Sequence, residues 1–368
     1  MIKILFVMES LGAGGAERVL VNLVNQMDRT KFTPAILTLF EDGVNAAGLA
    51  DDVKLISPGL RRFRGMKTVL KRLPKKAIYQ RYVAPFLTGK YDLIVAYMTG
   101  VPTFVVAGAD VPKIAWIHGE FFPGRNVKGQ KQIYDRYDAV AGVSDHVCET
   151  FNRVIRSENR AVTIYNTNDT ERIKRLSLEP YTASNDGWQL VSVGCLEKTK
   201  GYDRLIAVCG RLKTDGVCFH LRILGEGPER KGLQEQIEKL GLADQITLTG
   251  YCQNPFPIVR HADLFVCSSR TEGLSTAVSE AIILGVPVVS TDVSGAKEIL
   301  GNNNEYGLVT ENSEDGLYDG VRTILSDEKL LTHYREKASE RAAFFDASHT
   351  VKQTEQLFSE VIQSYNEV

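Results

Sequence analysis

Hydrophobic positions along the chain fall into short apolar runs separated by amphipathic stretches of helical period. The runs lack strict polar alternation, which indicates strands buried on both faces of parallel sheets. In the first half they read IKILFVM, TPAILTLF, YDLIVAYM, KIAWIHG, YDAVAGVS and AVTIYN. In the second half they read WQLVSVG, FHLRILGEG, QITLTGY, DLFVCSS, VPVVSTD and YGLVT. The pattern predicts an α/β protein with two doubly wound, Rossmann-like domains.

A cluster of small, polar and turn-forming residues marks the expected domain break. It reads EPYTASNDGW and covers residues 179–188. We therefore expect a first domain over residues 1–182 and a second over residues 183–348, followed by a helical tail. A length of 368 residues suits two hydrophobic cores better than one.

The near-zero net charge of −1 hides a difference between the two halves. Residues 1–180 carry 26 Lys and Arg against 18 Asp and Glu, whereas the remainder carries 18 against 27. This asymmetry indicates different partners for the two domains. Six scattered cysteines without a CxxC pair predict reduced thiols in a cytosolic protein. No apolar span reaches 18 residues, so we expect no transmembrane helix.

Two glutamates, Glu272 and Glu280, flank a predicted helix start in SRTEGLSTAVSEAIILGVPVVSTD, residues 269–292. Gly273 places Glu272 in a loop, and Ser275 or Thr276 suits the N-cap. A helix N-terminus with free N–H groups attracts anions, while flanking carboxylates suit hydroxyl groups. The segment therefore predicts a ligand with central phosphates and polyols on either side, or else an acid pair on a solvated face.

Glycines in the first βα turn suggest a second place of close backbone approach. ESLGAGGAERVL sets Gly12, Gly14 and Gly15 between a strand and a helix. The spacing does not match the dinucleotide fingerprint, and no GxxxxGK[ST] occurs, which excludes a P-loop NTPase. A tight structural turn stays the alternative.

Five segments occur in the order expected of one family. They read GGAERVLVNL (14–23), VSVGCLEKTKGYDRLI (191–206), LGEGPER (224–230), the stretch from 262 to 300, and YGLVT (306–310). With them the chain resembles the family 4 retaining glycosyltransferases of the GT-B fold, which build bacterial surface polysaccharides and lipid-linked oligosaccharides. The resemblance is loosest between residues 40 and 110. It implies two Rossmann-like domains with a cleft between them, of which the first binds the acceptor and the second the nucleotide-sugar. It also implies a last helix (about 349–368) that crosses back to the first domain.

The resemblance also implies roles for individual residues. Glu280 would hold the ribose hydroxyls, Glu272 would lie by the donor sugar, and Lys200 would stabilise charge on the departing nucleoside diphosphate. His118, at the end of a first-domain strand, would face donor sugar or acceptor, so that His118, Lys200 and Glu272 form the predicted catalytic set. The donor-binding residues implied with Glu280 are Gly14, Gly15, Gly194, Lys198, Gly225, Gly227, Tyr251, Gly273, Leu274, Ser275 and Thr276. For Lys198 a solvated loop charge, and for His118 a structural role, stay open.

One position departs from the family pattern. The family normally has arginine after the strand glycine, but here Cys195 follows Gly194. A neutral thiol cannot replace a guanidinium, so Lys198, Lys200 or another cation must serve, or activity is low. No Asp-x-Asp lies beside a strand end. We therefore expect neither a metal nor another cofactor, because lysine and a helix N-terminus supply the positive charge.

A basic strip spans residues 60–86, with nine cations and no acid. Its predicted membrane or acceptor contacts are Arg61, Arg62, Arg64, Lys67, Lys71 and Arg72. An apolar stripe flanked by Lys and Arg suits an anionic membrane surface. Nothing else resembles a nucleic-acid module, so we expect no nucleic-acid partner. A solvated helix packed on the domain is the alternative.

The combined expectation is a retaining, metal-independent transferase acting at the cytoplasmic face of the plasma membrane. It would move a hexosyl unit from a nucleotide-sugar, most simply a UDP-sugar, to a lipid-linked saccharide. Two rivals stay open: a nucleotide-sugar epimerase of the same fold, and a non-catalytic nucleotide-sugar-binding subunit.

Overall fold

A computed structural model describes residues 1–41, 43–61, 66, 73–87, 89–122, 127–182 and 187–367. The chain forms two compact units, one made of residues 1–167 with 347–368 and the other of residues 168–346. The division thus falls between Thr167 and Asn168, earlier than the break expected after residue 182. The reason is the helix Thr170–Leu176, which packs on the second unit, where the Asn254 amide donates to the Leu176 carbonyl at 3.0 Å.

The first unit is built on a parallel sheet in the order β3-β2-β1-β4-β5-β6-β7. Its inner strand β1 is buried from Ile4 to Met8, as the unbroken apolar run predicted. Among the described strands of this unit, the sequence pattern missed the edge strand β3, whose apolar residues are interrupted by Lys54. The strands are β1 (Ile2–Ser10), β2 (Phe32–Glu41), β3 (Lys54–Ile56), β4 (Leu93–Ala96), β5 (Lys113–Ile117), β6 (Ala139–Gly142) and β7 (Ala161–Thr163).

Helices of the first unit connect these strands and include the chain's last helix. They are α1 (Gly15–Gln26), α2 (Lys75–Tyr82), α3 (Val101–Val106), α4 (Val127–Tyr134), α5 (Asp145–Val154) and α14 (Ala347–Asn366). Phe358 of α14 is fully buried, with its ring centroid 5.9 Å from that of Phe6 and 6.5 Å from that of Phe32. This aromatic contact fixes the last helix on the first unit, although the preceding residues belong to the second.

The second unit is built on a parallel sheet in the order β10-β9-β8-β11-β12-β13. Every apolar run predicted for this half forms one of these strands. They are β8 (Trp188–Val193), β9 (Phe219–Leu224), β10 (Ile246–Gly250), β11 (Leu264–Cys267), β12 (Val288–Thr291) and β13 (Leu308–Thr310). The sheet order brings β8 and β11 side by side, with Phe265 opposite Val191.

The helices of the second unit lie before its first strand, between its strands and after the last one. They are α6 (Thr170–Leu176), α7 (Tyr202–Thr214), α8 (Arg230–Lys239), α9 (Phe256–Arg260), α10 (Thr276–Ile283), α11 (Ala296–Leu300), α12 (Glu314–Leu325) and α13 (Glu328–Arg341). Leu205, Ile223 and Val321 are among the residues of one apolar core that joins the sheet to α7, α8, α12 and α13. Among the described helices, none combines the length and apolarity needed to span a bilayer.

Candidate active site

Two loops of the second unit meet at the carboxyl ends of the adjacent strands β8 and β11. One follows β8 and covers residues 194–201, and the other follows β11 and covers residues 268–275. In open parallel sheets, ligands bind at the edge formed by the carboxyl ends of the strands. The strand order therefore assembles a candidate site from segments about 70 residues apart in the sequence.

An ion pair joins the two loops. Lys200 Nζ donates to Glu272 Oε1 at 2.7 Å, and the Ser269 hydroxyl donates to the same oxygen at 2.6 Å. The Glu272 side chain is only 11% exposed and that of Lys200 28% exposed, so water screens the pair less than it would a surface pair. The structure thus brings together two of the three residues predicted to be catalytic.

The ammonium of Lys200 stays charged at neutral pH. Burial opposes its charge, but the attraction of the Glu272 carboxylate and the hydrogen bond to it outweigh that effect and raise the pKa of Lys200 above its ordinary value. A fixed cation at the mouth of the sheet can therefore face an anionic ligand.

Further hydrogen bonds hold the two loops together. The Ser268 hydroxyl donates to the Lys200 carbonyl at 2.9 Å, and the Arg270 amide donates to the Thr199 carbonyl at 2.7 Å. The Arg270 guanidinium pairs in bidentate fashion with Asp203, with both distances 2.7 Å. These contacts fix the backbone on both sides of the Lys200–Glu272 pair.

Gly201 lies directly against the backbone of the second loop. Its φ of +65° lies in the left-handed region, and a Cβ at this position would overlap the carbonyl oxygen of Ser268. Both the conformation and the lack of space therefore require glycine after Lys200.

Arg204 is a buried residue of this site that the sequence reasoning missed. It is 7% exposed, and its guanidinium donates to the carbonyls of Ser268, at 2.7 Å, and Ser269. Burial lowers the pKa of Arg204 below its ordinary value, and its contacts with carbonyl oxygens satisfy the buried donors. The sequence did contain an indication of its burial, because Arg204 lies on the same helical face as the buried Val208 and Leu212. A cation on an apolar stripe needs partners from another segment.

Helix α10 begins where the sequence placed it. The Ser275 side chain caps the helix by accepting the Val278 amide, and Thr276 is the first helical residue. Glu280 lies one turn inside and is 6% exposed. Gly273 and Leu274, like Glu280, already make contacts within the protein. The expectation that every N–H between the two glutamates is free is therefore too simple.

Glycines and exposed residues surround this loop pair. Gly194 donates its amide to the Leu224 carbonyl at 3.0 Å, and a Cβ on Gly225 or Gly227 would overlap the backbone of the 194–196 loop. The packing of the protein itself therefore requires glycine at these positions, whether or not a ligand binds there. Lys198 and Tyr251 are exposed. Exposure agrees both with contact to a ligand and with a position that is simply solvated.

Cys195 stands at the edge of the same loop as a neutral thiol. Burial and the neighbouring Glu197 carboxylate raise its pKa to about 11, and its Sγ donates to Glu197 Oε1 at 3.4 Å. It therefore supplies no charge, which leaves Lys200 as the cation that meets Glu272.

The remaining predicted residues lie in the first unit. His118 follows β5 with its ring centroid 4.9 Å from that of Tyr97, and its Nε2 is buried without a hydrogen-bond partner in the described part of the chain. Burial lowers the pKa of His118 to about 4, so the ring is neutral at pH 7. Gly14 and Gly15 form the N-cap and first residue of α1.

The predicted membrane or acceptor residues and the possibility of a metal site complete the comparison with the sequence. Of the membrane or acceptor residues, Arg61 is exposed, whereas Arg62, Arg64, Lys67, Lys71 and Arg72 lie outside the described residues. Over the ranges that the structure describes, no group of three or more His, Cys, Asp or Glu side chains is placed to hold a metal ion.

Sequence profiles of two glycosyltransferase families match most of the chain. Residues 13–172 match glycosyltransferase family 4, and residues 174–341 match glycosyl transferases group 1. The chain is 32% identical to the N-acetylgalactosamine-N,N'-diacetylbacillosaminyl-diphospho-undecaprenol 4-alpha-N-acetylgalactosaminyltransferase of Campylobacter jejuni, over 70% of each protein. It is 34% identical to the putative colanic acid biosynthesis glycosyltransferase WcaL of Escherichia coli, over 39% of this chain and 37% of WcaL.

Solved structures share the fold at low identity. Anabaena HepE in complex with UDP superposes with a TM-score of 0.73 and 20% identity, covering 98% of this chain and 100% of HepE. Sucrose-phosphate synthase of Thermosynechococcus elongatus superposes with a TM-score of 0.78 and 17% identity, covering 99% of this chain and 100% of that enzyme. These likenesses support the two-domain GT-B fold.

Proposed function

The chain belongs to glycosyltransferase family 4, and on that basis we propose that it transfers a hexosyl residue from a UDP-sugar to a lipid-linked saccharide with retention at the anomeric carbon. The observation that carries the proposal is the Lys200–Glu272 pair held beside the start of helix α10. A cation and a helix N-terminus suit a diphosphate, and the two carboxylates suit the sugar rings on either side.

In the proposed reaction, each residue acts on one part of the donor. Glu280 accepts hydrogen bonds from the ribose hydroxyls, and Glu272 from hydroxyls of the transferred sugar. Lys200 and the amides at the start of α10 stabilise the negative charge that develops on the departing UDP. The leaving phosphate takes the proton of the acceptor hydroxyl as the new glycosidic bond forms on the same face of the sugar. The neutral His118 of the first unit contacts the sugar or the acceptor.

Binding and product analysis test the donor. Thermal shift with UDP, GDP and ADP should raise the unfolding temperature most with UDP, because a ligand bound only by the folded chain stabilises it. Glu280→Gln should weaken UDP binding about tenfold, as expected for a hydrogen bond to a charged group. An unchanged UDP affinity in Glu280→Gln, or a product of inverted anomeric configuration by NMR, would contradict the proposal.

We propose a lipid-linked acceptor because the Campylobacter relative's name specifies a diphospho-undecaprenol-linked substrate. The strip of cations between residues 60 and 86 supports association with the anionic cytoplasmic face of the plasma membrane. Flotation with liposomes should show binding that needs anionic lipid and that falls when Arg61, Arg62 and Arg64 are neutralised. Equal flotation with neutral liposomes would count against membrane binding.

We also propose that transfer needs no metal, because Lys200 supplies the charge that a metal would bring to the diphosphate. Activity should persist in EDTA, and a complete loss restored by Mn²⁺ would overturn this. Cys195 favours one rival, a nucleotide-sugar-binding subunit without turnover, because the charge usual at that position is missing. UDP binding without transfer to any membrane extract would support that rival.

A further inference from the structure

A depression lies at the amino edge of the first unit's sheet, opposite the edge where His118 follows β5. The second half of α5 and the segment 155–160, which leads into the start of β7, form its walls. Its volume is about 580 Å³, within the range of roughly 300–1,000 Å³ typical of small-ligand sites. None of the predicted site residues lines it. The described residues that do are Glu149, Asn152, Arg153, Arg156, Ser157 and Arg160.

Three arginines give the depression its charge. Arg153, Arg156 and Arg160 are exposed, and none of their guanidinium groups lies within ion-pair distance of a carboxylate in the described part of the chain. Elsewhere on the same unit a surface cation does meet a partner, as Lys76 Nζ meets Asp110 Oδ2 at 2.7 Å. Because neighbouring like charges repel one another, an anion that binds between the arginines lowers their electrostatic energy.

The acids near the depression do not cancel this charge. Glu149 lines it, so one carboxylate stands against three guanidinium groups, and Glu158 is exposed but does not line it. The carboxylate of Asp135 is already engaged. Its Oδ2 accepts from Lys131 Nζ at 2.6 Å, and its Oδ1 accepts from the Ser157 hydroxyl at 2.8 Å. The depression therefore keeps an excess of positive charge.

Hydrogen bonds fix the backbone that carries the arginines. The Ala161 amide donates to Asn152 Oδ1 at 2.9 Å and thereby ties the end of α5 to the start of β7. Arg156 has a φ of +53°, in the left-handed region where glycine fits without steric cost. Its Nε donates to the Arg153 carbonyl at 3.3 Å, which leaves the other N–H groups of this guanidinium for a ligand. The cations are thus held at one place before any ligand arrives.

A phosphate group suits this lining better than other ligand classes. A phosphate monoester carries a charge of about −1.5 to −2 and three strong acceptor oxygens, so it can meet several guanidinium groups at once. A carboxylate has only two oxygens and a single charge, and a neutral sugar would leave the positive charges unpaired. The described lining has no apolar or aromatic residue, so it offers neither a surface for a hydrocarbon chain nor a ring for a stacked base.

We propose that the depression binds a phosphate group through Arg153, Arg156 and Arg160, at a site separate from the candidate active site of the second unit. The inference does not depend on the proposed function, because no step of the transfer uses this edge of the sheet. The same phosphate chemistry occurs in a soluble phosphomonoester and in the headgroup of phosphatidic acid, and the experiment distinguishes these two sources.

Calorimetry with glycerol 3-phosphate and flotation with phosphatidylcholine vesicles, with and without phosphatidic acid, test the site on the full chain in about 0.15 M salt. The triple variant Arg153→Gln, Arg156→Gln, Arg160→Gln should weaken phosphate binding about tenfold or more, because it removes charge-assisted hydrogen bonds. Arg156→Gly alone should weaken it about tenfold without lowering the unfolding temperature, because glycine suits the left-handed conformation.

Two controls separate a specific site from general attraction. The triple variant Lys231→Gln, Lys239→Gln, Lys329→Gln removes the same charge from exposed positions of the second unit and should bind both probes as the wild type does. Lys200→Met, at the candidate active site, should also leave the binding of glycerol 3-phosphate unchanged.

Each outcome decides for or against the site. Binding of glycerol 3-phosphate that is lost in the arginine triple, with flotation unchanged, supports the site with a soluble phosphate compound as its ligand. Flotation that needs phosphatidic acid and is lost in the arginine triple supports it with a lipid headgroup as its ligand. The proposal is overturned if the wild type binds neither probe, if the arginine triple binds as the wild type does, or if the lysine triple or Lys200→Met loses binding equally. None of these measurements uses transfer activity, so a failure of the proposed function would leave them unaffected.

Discussion

The ion pair between Lys200 and Glu272 gives a prediction that depends on the pairing of the two loops. We consider Lys200→Met, Glu272→Gln and the double variant, measured as a double-mutant cycle. The two single variants should each destabilise the second unit, and the double variant should destabilise it by less than their sum, because the interaction is lost only once.

The expected coupling energy follows from the burial of the pair. Breaking a fully buried ion pair costs about 3–5 kcal/mol, whereas an exposed pair contributes about 0–1 kcal/mol. With Glu272 11% and Lys200 28% exposed, an intermediate coupling of about 2 kcal/mol is expected. For a domain of this size that corresponds to a change in unfolding temperature of about 4–8 °C.

The contribution of this ion pair to the stability of the second unit should decrease at high pH. Because the folded chain raises the pKa of Lys200, the stabilisation is fully present below the ordinary lysine pKa and is lost as pH rises through the folded value. The difference in unfolding temperature between wild type and Glu272→Gln should therefore shrink at strongly alkaline pH. Differential scanning calorimetry across that range measures it.

A surface pair of the same unit supplies the control. Lys297 and Asp292 are 2.6 Å apart but 49% and 45% exposed, so the same cycle on them should give about 0.5 kcal/mol or less. Equal coupling in the two cycles would refute the argument that burial gives the Lys200–Glu272 pair its strength. Activity gives an independent readout, because Lys200→Met should lower kcat about a hundredfold while Asp292→Asn should not.

Three further variants probe other features. In the wild type, about 3 kcal/mol of folding free energy should be lost as pH falls from 6.5 to 4, because His118 binds a proton in the unfolded chain but not in the folded one. His118→Gln should remove this loss, and unfolding temperatures measured against pH test it. Arg204→Met should destabilise the second unit by about 2–4 kcal/mol in denaturant titrations and lower kcat about tenfold, because the Ser268 and Ser269 carbonyls lose the guanidinium that joins them. Gly201→Ala should destabilise by about 3 kcal/mol or more in the same titrations, because a left-handed residue would also clash with Ser268.

A matched control variant, or a stated contrary result, tests each of these three predictions. The exposed His349→Gln should leave the acid-side slope of stability in place, and an unchanged slope in His118→Gln would contradict burial as its cause. Arg204→Lys should recover part of kcat, and full activity in Arg204→Met would remove its positioning role. Gly216→Ala shares a positive φ, +77°, but has open space around the Cβ, so it isolates the conformational cost. Equal destabilisation by the two alanines would show that the contact with Ser268 is immaterial.

Local patterns in the sequence were sufficient for the elements and for part of the site. Apolar runs without alternation marked every described strand except the edge strand β3, and residue type narrowed the cap of α10 to Ser275 or Thr276, of which the structure has Ser275. The order of motifs was enough to identify the family. Each of these patterns depends on residues that lie within one element or next to it. They can therefore be read from the sequence without knowledge of the fold.

Contacts between distant segments were decided by the tertiary structure. The adjacency of β8 and β11 placed Lys200 against Glu272 and turned Arg204 toward the carbonyls of the other loop. The division of the chain after Thr167 likewise depended on where α6 packs, which composition near residue 182 does not reveal. Strand order sets these distances, and no local period or cap encodes it, because the free energy that selects it comes from burial across the whole sheet.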